Sequence, residues 1–307
     1  METLEIMRMP SPYRGDFIIR GYHFGPREKS IAIVGSLRGD EVQQLYVASQ
    51  IVKNLRIMEA DGNLSPEHGI LVIPTANPFS LNVMKRFWTM DNTDINRMFP
   101  GYGDGETTQR IAEAIFDAVR DYHWGVQLAS YYMNGNFVPH VRIMHTGYED
   151  TSHADAFGLP YVLLYEPRPY DTTVLNYNWQ VFGTSAYSVY CGSTDIIHHD
   201  MAKLTWQSVL RFTNSIGATH AKVGPAYRSE TFDESRLLTV KSAEAGILYL
   251  HCSVGQSVRR GDCLAQILDP LNGETLQRIE APTDASVFFA HTKPLVYQDS
   301  RLFQLLS

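Results

Sequence analysis

Short, unbroken apolar runs punctuate the first two thirds of the chain. IAIVG at 31–35, ILVIP at 70–74, GVQLA at 125–129, YVLLY at 161–165 and AYSVY at 186–190 hold too few polar positions to leave one face wet. Runs of this kind predict strands buried on both faces. Between them the apolar spacing lengthens to three or four. Val42, Leu45, Ala48, Val52 and Leu55 share one side of a helix predicted over about 40–55, and Ile111, Ile115 and Val119 one side of a helix over 107–122. A third helix is predicted over about 200–215. Residues 1–30 alternate polar and apolar around Pro10, Gly15 and Gly25-Pro26, as an opening hairpin does. Strands alternating with helices in this way predict an α/β domain, a mixed, mostly parallel sheet covered by helices on both faces.

From about Ala226 the helical period disappears. LLTVKS, GILYLHC, CLAQIL, LQRIEAP, SVFFAH and RLFQLL are short strand-like runs separated by Gly-Asp, Asn-Gly and Pro punctuation. The expected division is therefore an α/β domain over 1–225 and a small all-β domain over 226–307. The run AGILYLHCSVGQSVRRGDCLAQI, followed by IEAPTDASV, is similar to a barrel-sandwich of the biotinyl and lipoyl type. No lysine stands where such a module carries its cofactor, so a rim that shapes or covers an active-site mouth is the expected role.

Composition narrows the classes. With 307 residues, 44% apolar and 19% charged, the chain is long enough for a main domain and a smaller one. No run approaches the roughly 18 apolar residues of a membrane span. The first sixteen residues carry acids early and lack an apolar segment, which is not the pattern of a signal peptide. Cys191, Cys252 and Cys263 show no CxxC spacing, which points to a reducing cytoplasm. A net charge of -7 without a basic stripe argues against a nucleic-acid surface.

The chemistry concentrates between Arg86 and Gly101, in RFWTMDNTDINRMFPG. Arg86, Asn96 and Arg97 offer planar donors that hold a carboxylate in one orientation. A salt-bridged loop, with Arg97 on Asp94 or Asp91, explains the same spacing. DINRMFPG, preceded by Asn77-Pro78 and Arg86, resembles the substrate-carboxylate segment of the succinylglutamate desuccinylase and aspartoacylase family, a branch of the zinc carboxypeptidase-like hydrolases. The resemblance implies that fold, with a barrel-sandwich at its C-terminus, and assigns Arg86, Asn96 and Arg97 to gripping the carboxylate of an acylated amino acid.

The same resemblance implies zinc held by His and Glu of an HGxE turn and by a second His from a DLH segment, with a catalytic Glu on a later strand. Here the turn reads GSLRGDE, so Arg38 stands at the first His and Glu41 keeps the carboxylate. Ala129 replaces the second His, and Tyr190 stands at the catalytic Glu, with Gly192 preserving the pattern. Arginine stays protonated and has no lone pair for a metal. Glu41 alone cannot supply the three protein ligands of a catalytic zinc, so no cofactor is expected; zinc returns only under a different alignment of these motifs. Arg38 lies three positions before Glu41, within reach of an ion pair.

Among eleven histidines, His198 and His199 are adjacent and diverge on either helix or strand, so they do not aim at one ion. His140, in NFVPHVRIMH and near His145, lies in a segment that approaches the substrate in the resembled family, and Tyr131 and Tyr132 are placed to line an emptied pocket. The expected function is a catalytically degenerate homologue that binds a small carboxylated ligand or a peptide end. Two alternatives stay open. One is an amidohydrolase without the usual metal, with Tyr190 or His140 in acid-base work and Arg38 on an oxyanion. The other is a structural subunit, self-associating or paired with an active paralogue.

Overall fold

The computed structural model describes residues 1–13, 15–132 and 134–307. The chain forms two compact units, Met1–Ser130 with Pro139–Thr231, and Tyr131–Val138 with Phe232–Ser307. The sequence pattern places Tyr131–Val138 in the α/β domain. In the structure the short strand within it pairs with a strand of the C-terminal unit, so hydrogen bonding and not chain order decides where it belongs.

The first unit opens with a hairpin of β1 (Glu2–Met9) and β2 (Phe17–Phe24), then β3 (Lys29–Ser36), α1 (Val42–Ala60), β4 (Gly69–Thr75) and the single turn α2 (Pro78–Leu81). A 3-10 turn, Ile95–Arg97, precedes α3 (Thr107–Val119) and β5 (Trp124–Ala129). β6 (Gly135–Phe137) belongs to the second unit. The first unit resumes with β7 (His140–Met144), β8 (Tyr161–Tyr165), α4 (Leu175–Val181), β9 (Ser185–Tyr190) and α5 (His199–Ser215), and β10 (Glu230–Asp233) follows. The sheet order is β1-β2-β4-β3-β5-β9-β7-β8-β10. Strands β4, β3, β5 and β9 run parallel as neighbours, while β7 joins β9 antiparallel.

Both faces of the sheet are covered. Ile31 and Ile33 of β3 pack with Val47, Ile51 and Leu55 of α1 and with Val209 and Phe212 of α5. Ala32 and Val34 turn the other way, onto Ile111 and Ile115 of α3 and Trp179 of α4. The alternation of one strand between two apolar layers is why its sequence reads as a continuous run. Helix α1 extends past the expected Leu55 to Ala60 and stops where Gly62 takes φ +71°. Among the elements that lacked a readable pattern are β7 and α4. Arg142 interrupts the apolar run of β7, and α4 buries Asn176, Asn178 and Gln180, so polarity does not mark its outer face.

The second unit is β throughout its described residues, apart from a 3-10 turn at Glu234–Arg236. It comprises β11 (Leu237–Lys241), β12 (Gly246–Leu250), β13 (Ser257–Val258), β14 (Cys263–Leu268), β15 (Thr275–Glu280), β16 (Ala285–His291), β17 (Leu295–Val296) and β18 (Arg301–Leu306). One sheet runs β11-β18-β16-β13, with β6 also on β16, and the other β15-β14-β12-β17. Their inner residues, among them Leu264, Ile267, Val287, Leu302 and Leu305, form one core. Among the described residues no helix is long and apolar enough to cross a membrane.

Candidate functional site

The strand register brings the end of β3 and three expected positions into one row. Val34 of β3 is level with Gln127 of β5, which brings the end of β3 beside Ala129; Ala129 pairs with Tyr190 of β9, and Tyr190 pairs with His140 of β7. The first three lie at carboxyl ends of parallel strands, and the neighbouring strand then reverses direction. Open α/β sheets bind ligands at such edges.

The turn from β3 into α1 carries Arg38 and Glu41. Glu41 is 1% exposed, and its carboxylate receives four donors. Leu37 N (2.8 Å) and Arg38 N (3.0 Å) donate to Oε2. Arg38 Nη1 (3.0 Å) and the Ser130 hydroxyl donate to Oε1. The other side of the guanidinium meets Asp94, with Nε 3.1 Å from both oxygens and Nη2 2.8 Å from Oδ2. Burial works against the Arg38 charge, but Glu41 and Asp94 outweigh it and raise its pKa above the usual value. Asp94 also caps the 3-10 turn by accepting from Asn96 N at 3.0 Å. The turn is pressed close to its neighbour: a Cβ on Gly39 would lie 2.4 Å from the Ser80 carbonyl carbon and 2.5 Å from Lys85 O.

Arg86, Asn96 and Arg97 each have their own partner. Arg86 Nη1 reaches Asp40 at 3.2 Å. Burial raises the Asp40 carboxyl above the usual carboxylate range in spite of Arg86. Asn96 is buried, and its Oδ1 accepts from Leu175 N at 3.1 Å. Arg97 Nη1 donates to Tyr170 O (2.7 Å) and Asp171 Oδ1 (3.2 Å), with its guanidinium 5.3 Å from the Tyr170 ring. Neither salt-bridge partner suggested by the spacing, Asp94 or Asp91, is the one Arg97 takes here.

Tyr190 and His140 form a second cluster. Their rings stack at 5.2 Å with planes 9° apart, and the Arg142 guanidinium lies 4.2 Å from the Tyr190 ring and 5.5 Å from Tyr165. His140 is wholly buried, with Nε2 3.4 Å from Arg142. Gln43 ties the end of β9 to α1: Nε2 donates to Cys191 O at 2.6 Å and Oε1 accepts from His198 N at 2.6 Å. Burial pushes the Cys191 thiol up to about 11, which suits a packed side chain and not a nucleophile. His198 Nε2 lies 3.2 Å from Ser193 Oγ, whereas the His199 ring sits edge-on to Tyr46. Tyr131 and Tyr132 pack on each other in the second unit.

The donor set does not fit zinc. All four acceptor positions of Glu41 are taken, one by a guanidinium, and Ala129 has no ligand atom. Among the described residues no three His, Cys, Asp or Glu side chains gather as a metal site. Asp94 entered the sequence reading only as a partner for Arg97, and Ser130 did not enter it. Asp94 had a signal, an acid two residues before Asn96 at the start of a turn, which marks a cap but not its partner Arg38. Ser130 had none beyond following Ala129.

Residues 27–216 match the succinylglutamate desuccinylase/aspartoacylase catalytic domain. Over 258 residues the chain is 22% identical to the N-alpha-acetyl-L-2,4-diaminobutyric acid deacetylase of Halomonas elongata, covering 77% of this chain and 70% of that protein. In fold it is similar to a succinylglutamate desuccinylase from Silicibacter sp. TM1040, with TM-score 0.82 and 16% identity over 100% of this chain and 95% of the other. It is also similar to a product-bound ectoine utilization protein from Ruegeria pomeroyi, with TM-score 0.79 and 17% identity over 99% and 94% of the two chains.

Proposed function

The chain belongs to the succinylglutamate desuccinylase/aspartoacylase family of hydrolases, and from that premise we propose that it is a zinc-free member that binds a small carboxylated molecule without hydrolysing it. The observation that carries this reading is the Arg38 guanidinium, held between Glu41 and Asp94 at the position that the family resemblance gives to a zinc ligand. A fixed cation there offsets part of the charge of the two carboxylates but activates no water.

The ligand-gripping half of the reading rests on Arg86 and Arg97. Their side chains stay 19% and 31% exposed, and each holds one carboxylate of the protein. A ligand carboxylate would exchange with Asp40, whose charged form burial disfavours, or with Asp171. The similarity to a deacetylase of an N-acetylated diamino acid makes N-acyl amino acids the first class to try, with peptide ends second. The alternative of metal-independent hydrolysis asks Arg38 to stabilise an oxyanion, and its Nε, Nη1 and Nη2 groups are engaged by carboxylates.

The test is elemental analysis of protein purified without chelator, joined to calorimetry and hydrolysis assays with N-acetyl-L-2,4-diaminobutyrate, N-acetylaspartate and N-succinylglutamate. The expected result is zinc well below one equivalent, saturable binding of at least one compound, and no turnover. One equivalent of zinc, removed together with amidohydrolase activity, overturns the reading. Metal-free protein that binds none of the three shifts the choice to an interaction subunit.

A further inference from the structure

Two of the three cysteines lie at the same end of one ladder. In the second unit β12 pairs antiparallel with β14, and the last registered rung is Leu250 with Ala265. The pairing continues beyond it, since His251 N donates to Leu264 O at 2.9 Å. Continued two residues past Leu250–Ala265, the register sets Cys252 opposite Cys263 as a non-hydrogen-bonded pair, at the point where β14 shifts its register against β15. In such a pair the Cα atoms stand about 4.5 Å apart, the side chains lean toward each other, and a disulfide spans Cα separations of about 4.4–6.8 Å. The sulfurs also sit over adjacent residues of β14: Cys252 Sγ donates to Leu264 O at 3.6 Å and Cys263 Sγ to Ala265 O at 3.5 Å. Both thiols are free in the structure.

We propose that Cys252 and Cys263 are a modification site, a dithiol that a hydroperoxide converts into an intrachain disulfide. Cys263 is the more exposed of the two and meets the oxidant first. Its sulfur takes one oxygen from the peroxide, giving a sulfenic acid and releasing water or an alcohol. The Cys252 sulfur then displaces that oxygen, the S–S bond forms, and the Cys252 proton leaves with the oxygen as a second water. Two electrons pass from the sulfurs to the peroxide. Burial, then the neighbouring Cys263, pushes the Cys252 thiol up to about 11, so Cys252 is not the thiol that meets peroxide first. The last backbone hydrogen bond between the two strands, His251 N to Leu264 O, lies one residue from the two cysteines and keeps them near each other. The disulfide staples the ends of the loop that carries β13.

The experiment treats the full-length protein, natively folded, with hydrogen peroxide. Remaining thiols are blocked with N-ethylmaleimide, and the protein is digested and its peptides weighed. The expected product is one peptide pair joined through Cys252 and Cys263, lighter by two hydrogens than the reduced pair, within a single chain and reversed by dithiothreitol. Cys263→Ser abolishes the link, and Cys191→Ser leaves it intact. Peptide mapping of the unmodified protein decides the matter even if a variant fails to fold. Peroxide-treated protein in which Cys252 and Cys263 are oxidised separately, remain as thiols, or link only between chains overturns the proposal.

Discussion

Replacing Arg38 by alanine would leave Glu41 buried without its counter-charge and Asp94 without the guanidinium that holds it. Breaking one side of a buried ion pair costs about 3–5 kcal/mol, and the Arg38→Ala variant should lose stability on that scale in urea denaturation. Adding Glu41→Gln should recover part of the loss, because the remaining buried group is then neutral. A non-additive recovery assigns the cost to charge and not to lost packing. Asp40 tests the opposite sign. Its pKa is raised, so the folded state holds the proton more tightly than the unfolded state. Stability from this group therefore falls as pH rises from the ordinary aspartate value through the raised one. The Asp40→Asn variant should match the parent in acid and be at least as stable at neutral pH, the gap opening across that window; denaturation midpoints at several pH values measure it. At this scale the sequence was readable where partners are near in the chain. Arg38 and Glu41 are three residues apart, whereas Asp94 and Ser130 reach the same ion-pair network from 56 and 89 residues away.

Elements were readable wherever burial was one-sided or complete. Strands β3 and β4 are apolar on both faces and β1 with β2 alternates, so each announced itself; β7 and α4 mix polar side chains into the interior and did not. The turn between β3 and α1 shows how an element positions chemistry. Gly39 lets that turn lie against the backbone of Ser80 and Lys85, and Gly39 N donates to Arg86 O at 3.2 Å, which brings Arg86 toward Asp40. A methyl group there meets backbone and not a movable side chain end. The Gly39→Ala variant should therefore lose about 3 kcal/mol, the upper part of the usual overpacking range, and should weaken any anion binding that depends on Arg86. Thermal denaturation and ligand titration on one preparation separate the two effects. A stability within experimental scatter of the parent would mean that the turn yields easily and does not fix Arg86.

For the molecule as a whole, the scaffold and its chemistry are separable. A mixed sheet and the helices α1, α3 and α5 follow from apolar periodicity, and the fold is kept in a solved structure of 16% identity, whereas chemistry on a shared fold resides in a handful of site side chains. If the zinc centre is missing because of those side chains alone, it should return when they do. Arg38→His together with Ala129→His supplies two ring nitrogens beside Glu41 and releases one of its oxygens from the guanidinium. Three protein ligands and an open position are what a catalytic zinc requires. The double variant should bind about one zinc, measured by elemental analysis after dialysis against metal-free buffer. Its melting temperature should rise with zinc concentration, since a ligand present at about a thousand times its Kd adds roughly 4 kcal/mol to the folded state. The parent should show neither effect. Hydrolysis of N-acyl amino acids should stay absent, because Tyr190 offers a phenol in place of the carboxylate that the family resemblance calls for; the further change Tyr190→Glu is the step expected to bring activity. A double variant that folds and takes up no zinc would show that Ser130 and Asp94 keep the site closed by themselves, and that more of the molecule than the ligand positions has changed.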